Sequence, residues 1–251
     1  MAKQKGIIKL EGTIGDITFY KTEDGYMAKE NAPVSADRIS TDPAFQRTRE
    51  NNAEFGRAGK AGKVLRNAIR ALLINAKDSR VTGRLTAQMM QVIKADATSA
   101  RGLRNVIDGE AELLQGFEFN NSAVLDATLY APYTSTIDRV TGILSVTIPP
   151  FIPANSIVPP DGTTHFSIVS MSTEIDFETE TFTSQDQTSG LLPWNNVATA
   201  AIDMQNHVTA NSTHPLFLLL GIQFYQQVNG TNYPLKNGSF NALKLIKVSG
   251  V

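Results

Sequence analysis

The rhythm of apolar and polar positions changes twice along the chain. Over residues 6–30 it is the two-residue period of strands. Ile7-Ile8-Lys9-Leu10 is strand-like, and Asp16-Ile17-Thr18-Phe19-Tyr20-Lys21 alternates with β-branched and aromatic residues. Asp24-Gly25 then supplies a hairpin turn into Tyr26-Met27-Ala28-Lys29, and Gly12 and Gly15 punctuate the first connection. Strands so few and so poor in apolar residues are marginal alone. This arm is therefore expected to pair with the rest of its chain or with a neighbouring copy, using Ile17 and Phe19 as contacts.

Residues 31–41 read as polar and irregular. Thr41-Asp42-Pro43 opens a helix, with a capping side chain and Pro at the first helical position. From Pro43 to about Ala76 a 3.6-residue stripe follows: Phe45, Phe55, Val64, Leu65, Ile69, Leu72 and Leu73. Gly56, Gly59 and Gly62 inside it cost about 1 kcal/mol each relative to Ala. With Ala53, Ala58 and Ala61 they offer a small-residue surface for another backbone; the other reading is a kink or break. A second helix is predicted over Arg84–Ala97 and a third over Ala100–Leu114, and short connections make these a small helical bundle.

From Phe117 onward short strand-like runs recur: Val124–Tyr130, Ile143–Ile148, His165–Met171, Glu174–Thr183, Val197–Met204, Leu216–Val228 and Phe240–Val248. Pro149-Pro150, Pro159-Pro160-Asp161-Gly162, Asn229-Gly230 and Asn237-Gly238 punctuate them, and Asn229-Gly230 is placed to close a hairpin into Tyr233-Pro234-Leu235. Such spacing predicts an antiparallel sandwich or barrel, of which the sandwich is the expectation carried forward. The expected fold is thus α+β: a β-hairpin arm and linker over 1–40, a helical bundle over 41–116 and a β-sandwich over 117–251. No fixed-period repeat or low-complexity tract is present.

Composition changes this picture only by exclusion. The chain has no cysteine, which removes disulfides, thiolate nucleophiles and Cys-containing metal sites. The longest strongly apolar run, Leu216–Ile222, is far short of the roughly 20 residues of a spanning helix, so no membrane insertion is expected. No secretory signal is recognisable, so synthesis in the cytoplasm is expected, with any release occurring through lysis or a dedicated machine.

Charge adds an asymmetry that the net value of −1 hides. Residues 1–116 carry 19 Lys and Arg against 14 Asp and Glu; residues 117–251 carry 4 against 10. The basic excess concentrates in the helices, at Arg47, Arg49, Arg57, Lys60, Lys63, Arg66, Arg70, Lys77, Arg80 and Arg84. The acidic counterpart is Glu174, Asp176, Glu178 and Glu180, which a continuous strand would place on one face, opposite Ile175 and Phe177. That face admits four readings: a solvated surface, a docking surface for a basic partner, a Ca²⁺ contact, or a carboxylate pair at glycosidase spacing.

Catalytic signatures are scarce. His165, His207 and His214 do not fall in a compact metal-ligand spacing, and there is no G-x-S-x-G elbow, Walker A sequence or G-x-G-x-x-G strand-to-helix turn. No cofactor and no enzymatic activity are expected. The stretch Gly12-Thr13-Ile14-Gly15-Asp16-Ile17-Thr18-Phe19-Tyr20-Lys21, with Phe45-Gln46-Arg47-Thr48-Arg49-Glu50-Asn51, resembles a family of uncharacterised Bacteroidota proteins over most of the chain. The resemblance implies no activity and no functional residues.

These features favour a self-assembling structural subunit of a filament, sheath, shell or phage-like particle. Its partners would be itself or other particle proteins, joined by β-arm addition and by basic-helix to acidic-sheet contacts. Two alternatives stand beside it. One is a nucleic-acid-associated protein using the basic helices. The other is a β-sandwich module binding carbohydrate or protein through Tyr130, Tyr133, Trp194 and Tyr233.

Overall fold

The computed structural model describes residues 1–31, 34–76 and 78–250; the side chains of Lys236 and Asn237 also lie outside the description. The chain forms two compact units, Met1–Asn51 and Asn52–Val251.

The first unit holds a four-stranded antiparallel sheet. Its strands are β1 (Ala2–Lys3), β2 (Gly12–Ile14), β3 (Ile17–Thr22) and β4 (Gly25–Glu30), in the order β1-β4-β3-β2. Gly15 at φ 56° makes the tight turn from β2 to β3, where Ile14 pairs with Ile17. The expected strand at Ile7–Leu10 does not form. There the chain curls around Gln4, whose amide donates to Leu10 O and Met27 O while its oxygen accepts from Leu10 N. Those bonds satisfy backbone groups that a strand ladder would otherwise use. The expected irregularity of 31–41, of which residues 32 and 33 lie outside the described residues, is corrected over Ala36–Thr41. Ser35 Oγ accepts from Arg38 N and caps a short helix, α1 (Ala36–Thr41). Asp42 then caps a 3₁₀ turn, Pro43–Phe45, that leads into α2 (Gln46–Ala68).

Most of α2 belongs to the second unit. It runs unbroken through Gly56, Gly59 and Gly62; the break falls at Ile69 (φ −100°, ψ 14°), before α3 (Arg70–Leu73). Helix α4 (Val81–Lys94) packs Leu85 and Met89 against Gly62. The expected third helix over 100–114 is a loop ending in a 3₁₀ turn, Ala111–Leu114. Side chains outcompete helical bonding there. Glu54 accepts from Gly102 N, Arg57 donates to the carbonyls of Gly102 and Arg104, and Asp96 accepts from the amides of Thr98, Ser99 and Asn105.

The remainder is antiparallel β-structure. After a helical turn, α5 (Leu125–Thr128), where a strand was expected, come β5 (Thr134–Asp138) and β6 (Ile143–Ile148). A turn α6 (Pro153–Ser156) precedes β7 (His165–Asp176), β8 (Thr181–Thr188), β9 (Leu192–Pro193), β10 (Ile202–His207), β11 (Leu216–Val228), β12 (Thr231–Pro234) and β13 (Ala242–Ser249). Strands β10-β6-β5 form a three-stranded sheet; β12-β11-β7-β8, with β13 on β11 and β9 on β7, form a six-stranded one. As expected, Asn229-Gly230 closes the β11–β12 hairpin, with Val228 paired to Thr231.

Two cores explain the apolar pattern. Leu144, Val146 and Ile148 of β6 and Ile202 and Met204 of β10 face Phe166 and Ile168 of β7 and the even-numbered residues of β11. On the other face of the larger sheet, Val169, Met171, Phe217 and Leu219 pack against Leu65, Leu85, Met89 and Ile93 of the helices. Strands β7 and β11 are thus buried on both sides, which is why Leu216–Ile222 reads as a continuous apolar run rather than an alternating one. Gly221 interrupts that run because a Cβ there would come within 2.7 Å of Ala242 O. A bulge opposite Leu218/Leu219 inserts Ile246, so that Leu245 and Val248 face the helices while Ile246 faces the smaller sheet.

Candidate functional site

The N-terminal sheet sorts its side chains sharply. Cross-strand partners share a face, and the ladder pairs Ile14 with Ile17, Gly12 with Phe19, Phe19 with Ala28, Ala2 with Ala28, Lys21 with Tyr26 and Ile17 with Glu30. One face therefore carries Ile14, Ile17, Phe19, Ala28 and Tyr26 with Lys21 at one end and Glu30 at the other. The opposite face carries Thr13, Thr18, Tyr20, Met27 and Lys29. The apolar face is open: Ile14 is 63% and Ile17 44% exposed, and Phe19 is half-buried. Among the described residues of Met1–Asn51 not one is buried. Lys21 and Lys9 both lie over the Tyr26 ring, at 5.5 and 5.9 Å.

Much of the basic helical charge is engaged locally. In the first unit Arg49 donates to the carbonyls of Ile39 and Asp42, and Arg47 pairs with Glu50 at 2.8 Å. In the second, Arg66 donates to Gly62 O and Thr82 Oγ1, and Arg84 pairs with Asp78 and donates to Glu118 O. Lys63 and Arg70 are exposed, Arg80 sits at the start of α4, and Lys77 lies outside the described residues.

The four acids do not share a strand face. Strand β7 ends at Asp176, whose carboxylate accepts from the amides of Glu178 and Thr179 and from Thr179 Oγ1, curling the chain into the β7–β8 turn. Those bonds, Thr179's hydroxyl first, hold Asp176 below the usual carboxylate range. Glu180 sits in that turn at φ 61° and pairs with Lys60 of the same chain. Glu174 is buried; desolvation alone would raise it, but donations from Ser212 and Thr209 hold it low. Its role is to tie the 209–212 loop to β7. Asp176 and Glu178 border an open cavity of about 510 Å³ with Asp108, Glu110 and His214, yet among the described residues no three His, Asp or Glu converge to hold a metal ion.

Two ionisable groups escaped the sequence reading. Glu54 is 1% exposed and takes a bidentate pair from Arg104 at 2.8 Å, which lowers its pKa. Glu118 extends a strand-like segment along β13, where Gly116 and Phe119 donate to Leu245 O and Leu243 O. Burial pushes its carboxyl up to about 7, against the opposing influence of Leu125 N and of Lys244 at 3.8 Å. The sequence sign of this site was a single acid between Phe117 and Phe119. Of the aromatic candidates, Tyr130 and Tyr233 are exposed, whereas Tyr133 and Trp194 pack against the core between the two sheets.

No helix among the described residues is long and apolar enough to cross a membrane. Comparison with protein-family models, with curated proteins and with solved structures finds no match to this chain.

Proposed function

We propose that the chain is a non-enzymatic, self-assembling structural subunit of a filament, sheath, shell or phage-like particle, and that its N-terminal sheet is the part that docks on another copy. The observation that carries this reading is the absence of any buried residue among those described in Met1–Asn51, beside a sheet face bearing Ile14, Ile17 and Phe19. A sheet gains its stability by covering one face, and four short strands without a core are marginal in water. A second copy supplies that cover.

The contact between basic helix and acidic sheet carries less of the proposal, because Lys60 already meets Glu180 within the chain. Nucleic-acid binding has less support for a related reason: Arg57, Arg66 and Arg84 are engaged by carbonyl and side-chain oxygens of the chain itself. The test is sedimentation velocity with negative-stain imaging over a concentration series. Oligomers or particles should grow with concentration. A double variant, Ile17→Asp with Phe19→Asp, should stay monomeric while the main melting transition holds. A wild-type protein that is monomeric at every concentration ends the proposal.

A further inference from the structure

The apolar face of the N-terminal sheet is polar in the electrical sense. At one end Lys21 pairs across the ladder with Tyr26, and Lys9 reaches the same ring. At the other end Glu30 pairs with Ile17. Between them lie Phe19 and Ala28, with Ile14 beside Ile17. Glu23 and Asp24 belong to the turn beyond the strands rather than to this face. The first 51 residues carry 8 Lys and Arg against 8 Asp and Glu, so two N-terminal units meet without net repulsion between them.

Resting on the assembly reading above, we infer that the occupant of this face is the same face of a second copy, related by a two-fold axis that sets the strands antiparallel. Lys21 of each copy then lies against Glu30 of the other, and the two Phe19 rings meet near the axis. A two-fold axis makes an isologous contact in which each pairing occurs twice. The alternative two-fold packing, with strands parallel, would set Lys21 against Lys21 and Glu30 against Glu30, and like charges directly opposed are unfavourable. Charge therefore selects the antiparallel arrangement, and the apolar centre supplies the attraction.

Size sets the strength. The two six-residue strands, β3 and β4, are about 20 Å long, the outer strands are shorter, and the four strands span about 14 Å between outer axes. Such a patch is smaller than the roughly 800 Å² per partner of a standard interface. The contact is accordingly weak and reversible, which suits a repeated unit and calls for measurement over a range of concentration.

The experiment compares the full-length wild type with Lys21→Glu and with the double variant Lys21→Glu, Glu30→Lys by sedimentation equilibrium at low salt. Unchanged melting of the main transition verifies the second unit, and recovery of association in the double swap verifies that the N-terminal sheet still forms. Lys21→Glu should weaken association about tenfold, since two attractive pairs become two repulsive ones, and the double swap should restore it. Because the chain has no cysteine, Lys21→Cys and Glu30→Cys chains are clean probes. A short bismaleimide should link a Lys21→Cys chain to a Glu30→Cys chain and should link neither variant to itself. Association that ignores Lys21→Glu, association that fails to recover in the double swap, or a crosslink between two Lys21→Cys chains overturns the antiparallel pairing while leaving self-assembly in place. A monomer throughout overturns both.

Discussion

The two units of this chain solve the problem of burial in opposite ways. Asn52–Val251 places its larger sheet between helices and a smaller sheet, so that β7 and β11 are covered on both faces by two separate cores. Met1–Asn51 has comparable strand chemistry but, among its described residues, none is fully buried. Hydrogen bonding alone does not distinguish them, because both have complete antiparallel ladders. The difference lies in the apolar surface removed from water, which is the main favourable contribution to folding. It is this uncovered ladder on which the proposed docking of a second copy rests.

The sharpest way to break this contrast is to truncate one aromatic in each unit. Phe217 is fully buried and meets Phe177 edge-on at 6.2 Å. Phe217→Ala should cost about 3–5 kcal/mol and lower the melting temperature of the main transition steeply. Phe19→Ala should leave that transition within about 0.5 kcal/mol and act on association instead. Equal losses in a thermal melt would show that the first unit has a core after all.

The next largest effect tests what holds the second unit's irregular parts. Glu54 binds Arg104 and Gly102 N, and with Arg57 it replaces the helix expected at 100–114. Glu54→Ala leaves Arg104 unpaired, with its side chain 20% exposed. A loss of about 2–3 kcal/mol in urea unfolding is expected, at the lower end for a buried pair because Arg104 retains some water.

That loop also marks where sequence reasoning stops. The alternation of Ile143–Ile148, the Asn229-Gly230 hairpin and the Asp42-Pro43 helix start are local signals, and the structure carries all three. The Ala100–Leu114 helix failed because of one nearby competitor, Asp96, and two others, Glu54 and Arg57, that lie some fifty residues upstream where no local pattern announces them. The four acids from Glu174 to Glu180 failed as a strand face because the Asp176 carboxylate folds the following amides into a turn. Alternation did place Ile17 and Phe19 on one face. Their charged flanks became visible only once the ladder paired Lys21 with Tyr26 and Ile17 with Glu30.

A pH series sharpens the contrast further. Glu118 has its folded pKa raised to about 7 from an ordinary 4.5, so the folded state binds its proton more tightly than the unfolded state. Its contribution is therefore most favourable below about pH 4.5 and is lost as pH rises towards 7. Glu54, Asp78, Asp96 and Glu174 are lowered, and their stabilisation is lost instead as pH falls through the acid range. Glu118→Gln should stabilise the second unit by about 1–2 kcal/mol at pH 8, after allowance for partial hydration, and change little near pH 4. Urea unfolding at the two pH values measures this directly. A variant equally displaced at both would show that the effect comes from packing rather than from titration.

The smallest effect concerns the glycines of α2, which offer a second surface that a neighbouring backbone could approach. Gly62 is already used: a Cβ there would touch Leu85 at 3.6 Å, within ordinary van der Waals distance. Gly59 faces open space, with nothing within 4 Å of an added Cβ. If that face meets only water, Gly59→Ala should raise stability by up to about 1 kcal/mol through helix propensity and leave self-association unchanged. If a second backbone lies against it in the assembled state, the added methyl groups hold the two apart, and association falls while the monomer grows more stable. Thermal melting and sedimentation of one variant separate these outcomes. The docking proposed for the first unit's sheet predicts the former, because that face would already supply the assembly contact.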